Sequence, residues 1–320
     1  MLLEIVFLLV GLALVVFGAD YLVEGSSSVA RRFGLSEFVI GLTIVGMGTS
    51  APEMVVSFIG AIQGNSDISI GNVVGSNIFN TLLILGLTAL ILPISVLPEN
   101  KKQDVPMNIL VTVLLIVLGL EHRFFGIGVD GLSRIDGGIL IALFAAYMWW
   151  SFSQKTSAPE DNAGNASSSR NIWLSLLMIL GGLAALIGGG HLFVNSATSI
   201  AKDLGISDKF IAITILAGGT SMPELATCIA AAVKKKGQLA LGNIIGSNIF
   251  NILLILGGSA LINPLSFTDI TDIDLAALMV SALALLSGCF IGKKNQIDRL
   301  DGSLFLLLFA AYMSYLIINL

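Results

Sequence analysis

The stretch Gly48-Thr49-Ser50-Ala51-Pro52-Glu53 interrupts apolar sequence, and it returns as Gly219-Thr220-Ser221-Met222-Pro223-Glu224. Each is followed by a second matched stretch, GNVVGSNIFNTLLILG from Gly71 to Gly86 and GNIIGSNIFNILLILG from Gly242 to Gly257. Glu53 and Glu224 stand 171 positions apart, and so do Gly71 and Gly242. The longer pair agrees at 13 of 16 positions, so the chain is an internal duplication. Each half sets one glutamate deep in an apolar run. A carboxylate in hydrocarbon is costly and is a functional site by default.

Composition agrees with a membrane setting. Of 320 residues, 55% are hydrophobic and 12% charged, and the mean hydropathy is +0.94. Soluble domains carry about 25% charged residues. Apolar runs recur along the whole chain, which means many spans rather than one anchor. The N-terminus lacks a basic leader and is broken by Glu4, so it reads as a retained first helix. Cys228 and Cys289 lie in apolar segments and read as packing residues.

Turn residues and charges divide the chain into ten expected spans: 2–30, 36–63, 68–92, 105–121, 129–152, 172–201, 207–233, 238–262, 271–291 and 299–319. A Ser-, Asn- and Ala-rich gap from Gln154 to Arg170 reads as a flexible linker. On alternate sides, the basic residues split twelve to four. The twelve are Arg31, Arg32, Lys101, Lys102, Lys155, Arg170, Lys234, Lys235, Lys236, Lys293, Lys294 and Arg299. Arg123, Arg134, Lys202 and Lys209 lie opposite. The basic side is expected to be cytoplasmic, with both termini outside a cell (inner) membrane. Five spans per half would invert the second half. The expected fold is an all-α integral membrane protein of ten transmembrane helices, in two inverted five-helix repeats with broken helices at the midplane. The repeats would be 1–153 and 172–320, joined by a cytoplasmic linker over 154–171.

The chemistry follows from the interrupted helices. Pro52 and Pro223 have no N–H, and their rings clash with the carbonyls of Gly48 and Gly219. Freed carbonyls in lipid need partners, and a cation is one. Thr49, Ser50 and Glu53 are spaced to share one face of a continuous helix, as are Thr220, Ser221 and Glu224. Asn72, Ser76 and Asn80 form a stripe, matched by Asn243, Ser247 and Asn251. Gly71 and Gly75, with Gly242 and Gly246, would let the broken helices approach closely. Hydroxyls, carbonyls and two carboxylates make a hard oxygen cluster suited to Ca²⁺ or Na⁺. No His or Cys cluster points to a transition metal.

Other polar residues have plainer readings. Asp20 and Glu24 are expected at a solvated interface. His191, the repeat equivalent of Asp20, reads as an outer packing or mouth residue. Lys234-Lys235-Lys236 reads as a positive anchor, and Asp136 and Asp301 as helix N-caps.

GTSAPE with GNVVGSNIFN, then GTSMPE with GNIIGSNIFN, resemble the two alpha-repeats of the cation/calcium exchanger superfamily, closest to prokaryotic sodium/calcium exchangers. The resemblance implies electrogenic Na⁺/Ca²⁺ antiport by alternating access. It implies that Glu53 and Glu224 are shared by both ions, and that Thr49 and Thr220 offer backbone carbonyls. It matches Ser50, Ser221, Ser76 and Ser247 to sodium-site serines, and Gly46 and Ala217 to positions giving backbone oxygens. Asn80 and Asn251 match the central polar pair. Potassium-dependent relatives carry aspartate at the position of Asn251, so potassium independence is expected here. The linker is too short for a calcium-sensing module.

Neither a cofactor nor a nucleic-acid partner is expected; the partners are Ca²⁺, Na⁺ and the bilayer. A cation/proton antiporter of the same fold is the alternative. A channel is disfavoured, because its pore would come from a symmetric ring of ligands. A hydrolase is disfavoured by the lack of HExxH and GxSxG motifs.

Overall fold

A computed structural model of the protein describes residues 2–126, 129–153, 171–204, 217–267, 270–290 and 295–318. Among the described residues the fold is helical, apart from four two-residue strands. Eight helices are long and apolar enough to cross a membrane, or nine if one bent pair counts as a single span. The helices are α1 (Leu2–Phe33), α2 (Glu37–Thr49), α3 (Ala51–Ile62), α4 (Ser66–Ile91) and α5 (Asn100–Gly119). They continue as α6 (Arg134–Ser153), α7 (Ile172–Asp203), α8 (Met222–Val233), α9 (Gly237–Ile262), α10 (Asp272–Phe290) and α11 (Arg299–Ile318). Of the expected seventh span, 207–233, residues 207–216 lie outside the described residues, as does the linker from Gln154 to Arg170. The fourth span begins at Asn100 rather than 105, because a π-helical turn over Asn100–Asp104 extends it. The fifth begins at Arg134 rather than 129, because a strand precedes it.

Glycines in a seven-residue series decide how α1 and α7 meet. A Cβ on Gly18 would sit 2.8 Å from the Gly182 carbonyl oxygen, and one on Gly182 would sit 2.8 Å from that of Gly18. Gly11 and Gly189 oppose each other in the same way, and Gly25 opposes Ser175. As the residue number rises on α1 it falls on α7, so the two helices run antiparallel. In lipid, close van der Waals approach over small residues is a main source of helix association. Ser28 accepts a hydrogen bond from Ser175 within this seam, at 2.9 Å.

Inside the α1–α7 pair the central helices are packed most tightly. Nearly all of α9 is buried, including Leu241, Ile244, Ile245 and Ile249. A Cβ on Gly242 or Gly246 would lie 2.2 Å from the carbonyl oxygen of Phe38 or Leu42, so α2 presses directly on α9. The residues that the repeat would set against Gly71 and Gly75 fall in 205–216, outside the described residues. On the periphery, Gly86 meets Gly302 between α4 and α11, and Gly137 meets Gly257 between α6 and α9.

Short antiparallel pairings connect the halves at their edges. Strand β1 (Ile94–Ser95) pairs with β4 (Gln296–Ile297), and β2 (Gly131–Leu132) with β3 (Leu265–Ser266). Asp136 and Asp301 are not the caps themselves. Ser133 and Asp298 cap α6 and α11, while Asp136 and Asp301 reach back to the cap N–H groups at 2.8 and 2.9 Å. Each pair is a reciprocal capping box or its aspartate analogue.

Candidate ion-binding site

The chain breaks at Ser50, where α2 and α3 meet at a 47° bend. Ser50 has φ −79° and ψ 8°, and Ser221 has φ −87° and ψ 9°. Both lie in the sparsely allowed bridge region, where many functional residues are found. Pro52 and Pro223 sit in the first turn beyond the break, where a missing N–H costs nothing. Both glutamates also lie in that first turn, at a helix N-terminus that favours negative charge.

Thr49, Ser50 and Glu53 all turn toward the second half, and the serines pair across the halves rather than with the glutamates of their own half. Ser50 Oγ donates to Glu224 Oε1 at 3.0 Å, and Ser221 Oγ donates to Glu53 Oε1 at 3.0 Å. Each serine therefore serves the carboxylate of the other half. Ser247 adds a longer contact to Glu224 Oε1 at 3.5 Å, and Ser221 meets Ser76 at 3.3 Å. Thr49 Oγ1 turns to Asn243 Oδ1 at 3.1 Å, and Thr220 Oγ1 to Asn72 Oδ1 at 3.5 Å. The carbonyl of Gly46 faces this cluster and accepts from Ser247 Oγ at 3.4 Å. Ala217 belongs to the short helix Ala217–Gly219 that leads to the second break.

Asn80 and Asn251 lie one helical turn beyond Ser76 and Ser247, each within a π-helical turn. Such turns re-aim side chains and are frequent at functional sites. Asn80 Nδ2 donates to Asn248 Oδ1 at 3.3 Å, and Asn251 Nδ2 to Asn77 Oδ1 at 2.9 Å. Asn77 in turn donates to the Asn248 carbonyl, and Asn248 to Thr81. Asn77 and Asn248 were not singled out by the spacing argument. The signal was present in both copies of SNIFN, whose first asparagine sits off the every-fourth-residue stripe.

Glu53 is 1% exposed and Glu224 is fully buried. Their Oε2 atoms, with Oδ1 of Asn80 and of Asn251, are buried without a hydrogen-bond partner among the described residues. Buried acceptors are nearly always paired. Two carboxylate and two amide oxygens left without donors form a set that fits a hard cation as cargo.

A cavity of about 300 Å³ reaches this cluster from one side. Pro52, Asn72, Gly190, His191, Thr220 and Pro223 line it. On the repeat-equivalent side, Ala19, Val23, Thr49, Asn243 and Pro223 are buried. There, Lys234 Nζ pairs with Asp20 Oδ1 at 2.6 Å and Glu24 Oε1 at 2.9 Å. Asp20 and Glu24 are thus more than solvated interface groups, and Lys234 is more than an anchor. Partial burial works against the lysine's charge, but these two carboxylates hold its pKa above the usual range. Lys236 Nζ donates to Ser27 Oγ at 2.7 Å, adding to the same cluster.

The chain matches the sodium/calcium exchanger protein family over residues 3–153 and 174–318. A relative, the sodium/calcium exchanger MaX1 of Methanosarcina acetivorans, is 33% identical, with 96% of each chain covered. A more distant relative, the Ca(2+)/H(+) antiporter of Aphanothece halophytica, is 25% identical, with 94% of this chain and 87% of the relative covered. A solved structure of the sodium-calcium exchanger NCX_Mj superposes with a TM-score of 0.84 at 36% identity, covering 98% of this chain and 99% of that one. The helix arrangement, the repeated motifs and these matches agree: the chain is a multi-pass membrane protein that belongs to the sodium/calcium exchanger family.

Proposed function

We propose that the protein is a secondary antiporter that exchanges Na⁺ for Ca²⁺ by alternating access. The observation that carries this reading is the exchange of serine–glutamate hydrogen bonds between halves, around four unpaired buried oxygens. Glu53 and Glu224 supply the charge. Ser50, Ser221, Ser76 and Ser247 supply hydroxyl oxygens, and Gly46, Ala217, Thr49 and Thr220 supply backbone carbonyls. Asn80 and Asn251 supply amide oxygens. Two carboxylates balance one Ca²⁺, and about three Na⁺ would leave a single positive charge in a low-dielectric site. That ratio makes the exchange electrogenic.

The proposed frame is ten spans in two inverted five-helix repeats, 1–153 and 172–320, with a cytoplasmic linker over 154–171. The antiparallel α1–α7 seam supports it. With both termini outside, the cavity at His191 opens outward, and the Lys234–Asp20–Glu24 cluster closes the cytoplasmic side. Cys228 and Cys289 are both buried, so a cysteine placed at Asn165 would report on topology without background. It is expected to resist an impermeant thiol reagent in intact cells and to react after permeabilisation. Ready labelling in intact cells would reverse the orientation.

Ca²⁺ uptake into proteoliposomes tests the coupling ion. An outward Na⁺ gradient is expected to drive ⁴⁵Ca²⁺ uptake, and a pH gradient without Na⁺ is expected not to. The reverse result would favour the proton-coupled alternative, which the Ca(2+)/H(+) antiporter relative keeps in view. Hydroxyl-rich surroundings favour Na⁺, because a proton needs an acceptor but no oxygen shell.

The same assay checks potassium. The Asn251 amide offers an oxygen but no charge. Adding K⁺ to bound Ca²⁺ would leave positive charge uncompensated near the midplane. Sodium-driven flux is expected to persist with all K⁺ replaced by choline; its loss would show that K⁺ is carried or required.

A further inference from the structure

We propose that Asn72 and Asn243 are positioning residues of the exchange, each holding the threonine of the opposite half away from an oxygen that the ion needs: for Thr49 the Gly46 carbonyl, for Thr220 the Glu53 carboxylate. This rests on the antiport reading above. Asn243 is fully buried on α9, beside Gly242 and Gly246, where α2 packs closest. Its Nδ2 lies 3.3 Å from Cys228 Sγ, on the broken helix of its own half. Its Oδ1 accepts from Thr49 Oγ1, in the opposite half, at 3.1 Å. Asn72 repeats the arrangement. Its Nδ2 donates to the Glu53 carbonyl and to Ser57 Oγ, both at 3.0 Å, and its Oδ1 faces Thr220 Oγ1 at 3.5 Å. An amide carries a donor and an acceptor on one rigid group, so it can tie its own helix to a hydroxyl across the interface.

The consequence lies at Gly46. The Thr49 hydroxyl has a second acceptor in reach, the Gly46 carbonyl, at 3.4 Å. A hydroxyl has one proton to donate. While Asn243 takes it, the Gly46 oxygen, which already meets Ser50 N–H at 3.1 Å and Ser247 Oγ at 3.4 Å, is spared a third donor. Without Asn243 the proton turns to the Gly46 carbonyl or to the Glu224 carboxylate, and at either it competes with the ion for an oxygen. Asn243 thus acts on the ion through Thr49, without touching it. The halves also differ in strength. Asn72 is anchored by two oxygen acceptors, while Asn243 is anchored by a thiol, a weaker acceptor. The shorter threonine contact is the one at Asn243, so the larger effect belongs there.

The test is Na⁺-gradient-driven ⁴⁵Ca²⁺ uptake in proteoliposomes, measured against Na⁺ concentration. Asn243→Ala is expected to raise the apparent KM for Na⁺ about fivefold or more, with the maximal rate changed less than about twofold. In a Thr49→Val background, where no hydroxyl remains to turn, adding Asn243→Ala is expected to change that KM less than about twofold. Asn72→Ala with Thr220→Val forms the mirrored cycle, with the same sign and a smaller effect, and decides the matter if Asn243→Ala does not fold. Additive losses in either cycle, or an unchanged KM in both single variants, would overturn the proposal while wild-type flux keeps the antiport reading. Wild-type protein without sodium-driven flux would overturn both.

Discussion

Sodium-driven Ca²⁺ uptake is expected to fall by at least about 100-fold in Glu53→Gln, and equally in Glu224→Gln, because each removes half of the buried negative charge. A divalent ion facing one carboxylate in low dielectric loses several kcal/mol, and each 1.4 kcal/mol is about tenfold. The folded state should survive. Oε1 of Glu53 accepts from Ser221, and Oε1 of Glu224 from Ser50 and Ser247, and an amide oxygen can still accept these bonds. Removing a buried charge also lowers the cost of desolvation. Thermal unfolding in detergent should therefore remain at or above that of the wild type. Uptake within twofold of wild type in either variant would remove that glutamate from the site.

A second large effect is expected from one methyl group. Gly246→Ala would place a Cβ 2.2 Å from the Leu42 carbonyl oxygen, and the obstacle is backbone rather than a flexible side chain. Overpacking of this kind costs about 1–3 kcal/mol. It would also push α2 outward, carrying Gly46 and Thr49 with it. Both the melting temperature and transport should drop. The control is Gly138→Ala on α6, where a Cβ meets nothing within 4 Å among the described residues. Alanine there should hold or raise the melting temperature, since it favours helix by up to about 1 kcal/mol over glycine. Equal melting temperatures for the two variants would mean that α2 does not bear on α9 as closely as described.

Much of this was legible because duplication writes the same constraint twice. The 171-residue offset pointed to Glu53 and Glu224, and the apolar runs placed the ends of the described spans to within about five residues. The pairing of hydroxyls was not legible. Spacing by three and four assumes a continuous helix. Ser50 Oγ pairs with Glu224, 174 positions away, so local spacing gives the donors without their partners. The π-helical turns under Asn80 and Asn251 leave no mark in hydrophobic pattern, because the residues there are mostly apolar and buried nearly all round, so a shift of face does not show. Gly11, Gly18 and Gly25 recur at seven-residue spacing, a pattern the sequence reading passed over, and nothing in it names Gly182 and Gly189 as the other side of the seam. Lys234 lies more than 200 positions from Asp20 and Glu24 in sequence, and only the packing of α1 against α8 brings them together.

The central claim is that one cation site is assembled from both halves around Glu53 and Glu224. Equilibrium ⁴⁵Ca²⁺ binding to the purified protein, competed with Na⁺, K⁺ and choline, tests it most directly. The account predicts saturable binding that Na⁺ displaces and that K⁺ and choline do not, with binding lost in the Glu53→Gln/Glu224→Gln double variant. Calcium binding that persists undiminished in that variant would contradict it.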